Sequence, residues 1–236
     1  MRSGVLPFPT KRQLVGLWPG GVSVCDLRSG AREYRRNEKQ VAPTWEGTIQ
    51  LFEEWLDQNR RASIEIILSN FYVRTMILPW SGELHGDAEW REFAMRRFCL
   101  TTGATAGWDI SLDRYRYGAP RLAFAMQSEQ RALLLHTLSQ RSVRTRSIQP
   151  NWVWAMNHYK GIDGRQTVVV VTETESFSVV AIRDGQWAHA RTFPGNGVTE
   201  LTREIVNRER LILGFTRDAG ILYIESGEGN EIALVS

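Results

Sequence analysis

The sequence predicts an α/β protein of two lobes, with a small subdomain inserted in the first lobe and a reduced second lobe. Three observations predict it. The chain opens on a meander of short strands, Leu14 to Arg36, followed by a helical stretch and a buried strand. After the polar loop Lys160–Arg165 the same grammar restarts. Between the two repeats lies Tyr72 to about Met126, a segment that neither repeat needs. Residues 1–160 therefore read as the first lobe, with its insertion at about 72–126, and residues 161–236 as the second.

Length and composition agree. A chain of 236 residues with 42% apolar and 23% charged side chains can bury a core, which excludes wholesale disorder. No window reaches the roughly 18 apolar residues of a membrane span, and the N-terminus does not read as a signal peptide. Cys25 and Cys99 stand outside any CxxC or Cys/His cluster, so neither zinc nor a disulfide framework is expected, and a cytoplasmic compartment fits best. The net charge of +3 is too small to point to nucleic acid. Its distribution is uneven: residues 1–150 hold 21 basic and 15 acidic side chains, residues 151–236 hold 8 and 11. Nearly all the basic residues are arginines, as a GC-rich genome or an arginine-rich partner surface would produce.

In order along the chain, Leu14–Trp18 is an apolar strand, Pro19-Gly20-Gly21 a turn, and Val22–Leu27 a second strand. Ser29-Gly30 turns into a third at Ala31–Arg36. Thr44 can cap a helix whose Trp45, Ile49, Phe52, Trp55 and Leu56 fall at helical spacing, with Glu46, Glu53 and Glu54 on the solvated face. Ala62–Ser69 is a buried strand and Tyr72–Pro79 another. Asp87 can cap a helix carrying Trp90, Phe93, Ala94 and Phe98. Trp108–Tyr115 and Pro120–Met126 form a hairpin. Ser128 can cap the next helix, and Val143–Ile148 is a strand leading into a short helix through His158. In the second repeat, strands fall at Thr167–Thr172, Phe177–Ile182 and Trp187–Phe193, with a hairpin turn at Arg183-Asp184-Gly185. A helix from Thr199 to about Gly214 has Leu201, Ile205, Leu211 and Ile212 as its apolar side chains. Strands at Ile221–Ile224 and Glu231–Val235 close the chain.

That internal duplication resembles the actin-like fold, in which two ribonuclease H-like lobes face a nucleotide cleft. Four segments carry a closer resemblance. LWPGGVSVCDLRSG (Leu17–Gly30) is similar to the first hairpin of type IV pilus assembly proteins of the PilM type and of the cytoplasmic domain of type II secretion L proteins. ILSNFYVRTMILPW (Ile67–Trp80) resembles their exit into the inserted subdomain. RSIQPNWVWAMN (Arg146–Asn157) and DGQWAHARTFPGNGVTELTREI (Asp184–Ile205) resemble the entry to and the hairpin and helix of their second lobe. The order of elements matches over most of residues 14–225.

The parts of an actin-like ATPase are degraded here. Such an enzyme needs an acidic, glycine-bearing loop in each lobe and a glycine-rich adenosine loop. The first loop reads Trp18-Pro19-Gly20-Gly21-Val22-Ser23, without an acid. The second reads Thr172-Glu173-Thr174-Glu175-Ser176, with a Cβ in the glycine position and two acids that would repel phosphate. The third, Glu225-Ser226-Gly227-Glu228-Gly229, adds acids to its glycines. No catalytic residue, cofactor or metal is therefore expected.

Other chemistry finds little support. His85, His136, His158 and His189 are scattered; His136 reads as a core or boundary residue and His189 as a surface or core one. Cys25 and Cys99 read as buried thiols. Glu173 and Glu175, two apart, could point the same way, but carry no glycosidase reading without a cleft. Arg114 and Arg116 interleave with Tyr115 and Tyr117, a mixture that can bind single strands.

The resemblance implies a cytoplasmic, non-catalytic scaffold, peripheral at an inner membrane, that docks the tail of an inner-membrane assembly protein or the motor ATPase. The alternatives are a nucleotide-binding actin-like ATPase and a nucleic-acid-binding regulator. The resemblance places a peptide groove between the first lobe and its insertion. Met76, Leu78, Trp80, Trp90 and Phe93 would supply its apolar anchors, and Arg74, Arg91 and Arg97 a charge clamp. Strand alternation puts Arg74, Met76 and Leu78 on one face. The same apolar residues could equally be core.

Overall fold

The computed structural model describes residues 11–37, 42–60, 62–103, 106–141, 143–159, 166–195, 197–216, 219–226 and 233–235. Lys160–Arg165, most of the third loop and the start of the last strand lie outside them.

In the first lobe, β1 (Arg12–Trp18) pairs antiparallel with β2 (Gly21–Asp26), which pairs with β3 (Arg32–Arg36). After α1 (Trp45–Gln58), β4 (Ser63–Leu68) lies parallel to β1. The Thr44 side chain caps α1 by accepting from the Gly47 N–H at 3.1 Å. The helix buries Trp45, Ile49, Phe52, Trp55 and Leu56 against Val15, Leu17, Ile64 and Ile66 of the sheet, as the 3.6-residue spacing requires. Glu53 is not simply solvated: it accepts from Thr137 at 3.0 Å and pairs with Arg141 at 3.3 Å.

The chain then leaves for a separate three-stranded sheet. Its members are β5 (Arg74–Leu78), β6 (Trp108–Leu112) and β7 (Arg121–Gln127), in the order β5-β7-β6, with α2 (Asp87–Thr102) packed on it. Asp87 does not cap α2. It is the first helical residue, Gly86 holds the cap position, and the Asp87 carboxylate accepts from Arg121 at 2.8 Å. Ser128 likewise opens α3 (Ser128–Gln140) behind Gln127, and its hydroxyl donates to Asp109 at 3.2 Å. In both cases a cross-element acid or base outcompetes the local cap. β8 (Arg144–Pro150) returns to the first sheet parallel to β4 and completes the order β3-β2-β1-β4-β8, so β8 is an edge.

α4 (Asn151–His158) leads to β9 (Gln166–Thr172), β10 (Ser176–Arg183), β11 (Gln186–Pro194), α5 (Glu200–Ile212), β12 (Gly220–Glu225) and β13 (Ala233–Val235), with sheet order β11-β10-β9-β12-β13. The hairpin between β10 and β11 turns on Asp184 (φ 50°) and Gly185 (φ 73°), the positive pair that matches strand twist. The apolar side chains of α5 are mostly not the ones it buries. Leu201, Leu211 and Ile212 are exposed, while Thr202, Val206 and Glu209 face the sheet. A buried Glu209 held by Arg208 at 3.1 Å, with His189 at 3.2 Å, takes a place that an apolar pattern assigns to leucine.

The bodies meet around α4. Trp152 is 1% exposed and sits with Ala155 and Met156 among Val169, Val171, Val180 and Ile224 of the second lobe and Leu122 of the insertion. Its indole N–H donates to Thr75 Oγ1 at 3.0 Å, and its ring stands edge-on to Trp187 at 5.5 Å. Beside it, the edge strands β5 and β11 run next to each other.

Candidate functional site

At the first hairpin, the polar groups that a phosphate would need are already engaged. The Trp18 indole folds back over Gly16 and donates to Ser23 Oγ at 2.7 Å. Thr48 Oγ1 accepts from the Gly20 N–H at 3.2 Å and donates to the Trp18 carbonyl at 2.9 Å. The Tyr72 hydroxyl reaches the same carbonyl at 3.3 Å, and burial pushes its phenol up to about 12.

The second loop is closed by Glu173. Its carboxylate accepts from Ser69 Oγ, from the Asn70 N–H at 3.0 Å, from Asn151 Nδ2 at 2.8 Å and from Ser176 Oγ at 3.2 Å. Ser69 and Asn70 end β4 of the first lobe, Asn151 starts α4, and Glu173 and Ser176 flank the β9–β10 turn of the second lobe. Ser226, after β12, donates to Asn151 Oδ1 at 2.8 Å, and the Trp152 N–H donates to Asn70 Oδ1 at 3.1 Å. Burial raises the Glu173 carboxyl above its ordinary value, opposed by those four donors. Glu173 and Glu175 do not share a direction, since Glu173 is buried and Glu175 exposed.

The actin-like fold implies a nucleotide, and these residues do not fit one. The Gly20 amide is taken, and a buried carboxylate bonded to both lobes stands at the second phosphate loop. Sequence reasoning missed Glu173 as an interlobe bond. The available signal was positional: Ser69, Asn70, Asn151 and Glu173 each abut a buried run at an element boundary.

The expected docking residues divide. Leu78 (0% exposed) and Trp90 (1%) form the insertion's own core with Ala94 and Ala123, and Met76 and Phe93 pack against it. Arg121, also buried, lies over the Trp90 ring at 5.8 Å. Trp80, Arg74, Arg91 and Arg97 are exposed, Trp80 against Tyr117 and Arg74 donating to the Phe71 carbonyl at 3.3 Å.

A groove does lie between the first lobe and the insertion. It has a volume of ≈ 170 Å³. Phe124 and Met126 of β7, Leu134 and Leu135 of α3, and Ile148 and Pro150 of β8 supply its apolar wall. Ser111 of β6 borders it too, so two edge strands, β6 and β8, flank it. A dry apolar cavity of about 150 Å³ accepts a benzene-sized group, so this groove takes one large apolar side chain. Leu135 (39% exposed) and Ile148 (38%) mark its open side.

The remaining candidates do not assemble a site. His136 is exposed, and Cys25 and Cys99 are half-buried free thiols rather than buried ones. Among the described residues no three His, Cys, Asp or Glu side chains cluster to hold a metal ion, and no helix is long and apolar enough to cross a membrane.

Two lobes with one sheet each, an insertion after β4 and a linking helix define an actin-like fold, and solved structures share it. A Bacteroides thetaiotaomicron protein with actin-like ATPase fold and unknown function matches with a TM-score of 0.63 at 10% identity, over 92% of this chain and 82% of its own. A chain of the PilM–PilN type IV pilus biogenesis complex matches at 0.59 and 13% identity, over 93% and 82%. The cytoplasmic domain of EpsL, an inner membrane component of the type II secretion system of Vibrio cholerae, matches at 0.55 and 10% identity, over 96% and 86%. No protein-family model matches the chain, and no curated protein matches it in sequence.

Proposed function

We propose that this protein is a non-catalytic scaffold of a pilus or secretion assembly platform, docking the cytoplasmic tail of a membrane protein or the motor ATPase. The observation that carries the reading is the groove between lobe and insertion. Its apolar walls accept a large side chain, and the free edges of β6 and β8 offer backbone groups to an extended segment. The non-catalytic part rests on Glu173, whose bonds to both lobes use the position of a phosphate loop. The fold shared with EpsL and with the PilM–PilN complex supports a tail of that kind as the occupant. We assign the anchor to this groove rather than to Leu78 and Trp90, which the insertion needs for its own core.

A photo-crosslinking residue at Ile148 tests the reading in the native cell, with one at Leu211 on the second lobe as control. Adducts to a membrane protein's cytoplasmic segment or to a motor ATPase are expected at Ile148 alone. Adducts to neither, or to nucleic acid, overturn it. Ile148→Glu and Leu135→Glu should each abolish capture without changing the melting midpoint, because both side chains are already partly in water.

A further inference from the structure

Ile148, Gln149 and Pro150 all line the groove. Consecutive side chains of a strand point to alternate faces, so it is the edge of β8 that borders the groove. Ile148 pairs with Ile66 and Thr145 with Ile64, both in the core that α1 covers. Between them β8 holds one residue more than β4: Ser147 pairs with Glu65, and Arg146 is the extra one. Arg144, opposite Ser63, therefore lies on the other face of the sheet from Ile148. Arg146 is there too, with its Nε 3.7 Å from Glu65, and Arg12 of β1 reaches the same carboxylate at 2.9 Å. Three exposed arginines thus share one acid, and Arg144 has no ion pair among the described residues. Neighbouring charges are matched: Arg60 and Arg141 by Asp57 and Glu53, Lys11 by Asp26, and Arg131 at the groove by Asp109.

We propose, on the docking reading of that groove, that its occupant is an acidic extended segment: it adds to the edge of β8, sets a large apolar side chain beside Ile148 and places a carboxylate three residues away against Arg144. The spacing follows from the register. Ile66 and Ser63, the β4 partners of Ile148 and Arg144, are three residues apart, about 10 Å along a strand. A regular added strand keeps that count, and an odd count puts its anchor and its acid on opposite faces, as Ile148 and Arg144 lie. The acid precedes the anchor in a strand parallel to β8 and follows it in an antiparallel one. Arginine holds a carboxylate by charge-assisted, bidentate bonds, which supply the charge that Glu65 alone does not. A second copy of β8 is disfavoured, because it would bring more arginines to an edge already in excess of them.

Fluorescence anisotropy of labelled synthetic peptides with the whole protein tests the proposal. The first peptide has one phenylalanine in a threonine and serine background, with aspartate three residues to either side to serve both strand directions. The second carries lysine in place of aspartate, and the third has its aspartates two residues from the phenylalanine. The first should bind roughly fivefold tighter than either of the others, and less tightly as salt is raised. Arg144→Glu should reverse the order of the first two. Arg28→Glu, an equal charge change in the exposed β2–β3 turn, should leave it unchanged. Ile148→Glu should weaken all three. Equal affinity for aspartate and lysine peptides, lost in Ile148→Glu, overturns the acid and leaves the docking groove standing. Aspartate-dependent binding indifferent to Ile148→Glu overturns the groove reading and the proposal with it. Binding of no peptide, or of a labelled oligothymidine in their place through Arg144, also overturns the proposal.

Discussion

The backbone N–H of Asn70 donates to both oxygens of Glu173, at 3.0 and 3.2 Å, across 103 residues and from the first lobe to the second. A buried carboxylate is tolerated only where donors surround it, so the four groups that reach Glu173 act together. They convert what the fold uses elsewhere as a cleft into a seam.

Glu173→Gln keeps the shape of the side chain and replaces one acceptor with an amide donor. Every partner of the side chain donates; the amide brings two N–H groups among them where the carboxyl brings none when ionised and one when protonated, so in either state at least one further buried donor is left unpaired. Each such loss costs about 1–3 kcal/mol. A loss of about 2–4 kcal/mol in total would lower the melting midpoint by roughly 5–15 °C in a chain of this size. Thermal melting checks it.

The same pair of proteins reports the ionisation of Glu173. Burial holds its folded-state carboxyl above the ordinary value of 4.5. Between that value and the raised one, the folded chain keeps a proton that the unfolded chain has lost. Stability from this group therefore falls as pH rises through the window. The advantage of the wild type over Glu173→Gln should be widest below pH 4.5 and narrow as pH is raised. Melts of both proteins across the acidic range read it directly, and an advantage that grows with pH would show the carboxylate favoured over the acid.

Trp152→Ala removes the side chain that joins α4, the insertion and the second lobe. Truncating a buried tryptophan costs about 3–5 kcal/mol. Because Trp152 touches all three bodies, denaturation should stay a single transition at lower denaturant. Trp152→Phe keeps most of the packing and loses only the bond to Thr75, about 1 kcal/mol.

Gly16 and Gly21 separate close approach from flexibility. A Cβ at Gly16 would lie 2.6 Å from the Trp18 indole nitrogen, and Trp18 is 4% exposed and held by Ser23. Overpacking there should cost about 1–3 kcal/mol. A Cβ at Gly21 meets the Tyr34 ring, with ring carbons at 2.9 and 3.0 Å, so the ring must shift, but Tyr34 is 37% exposed where Trp18 is buried. Chemical denaturation should find both variants destabilised, Gly16→Ala more than Gly21→Ala.

The fold was legible because its signals are periodic and local. Thr44 ahead of Trp45, Ile49, Phe52 and Leu56 marks α1, and Asp184-Gly185 marks a hairpin, without reference to distant residues. The misplaced caps at Asp87 and Ser128 show the limit of local rules, since Arg121 and Asp109 claim those side chains from other elements. Leu201, Leu211 and Ile212 are apolar residues of α5 in the sequence and stand exposed in the structure, while Glu209 faces the sheet. Arg208 is its neighbour in the chain, but the contacts of Glu209 with His189 at 3.2 Å and Arg191 at 3.8 Å, both from β11, exist only in three dimensions. Of the candidate site, the degraded phosphate loops were readable. The interlobe bonds of Glu173 were not, because they pair residues about a hundred positions apart.

Hydrogen exchange at the Asn70 amide, followed with and without magnesium ATP, tests the closed seam most directly. If Glu173 joins the lobes in place of a nucleotide, this amide exchanges only with global unfolding, and ATP leaves its rate unchanged. Rapid exchange through local opening, or a rate that ATP slows, would contradict the account.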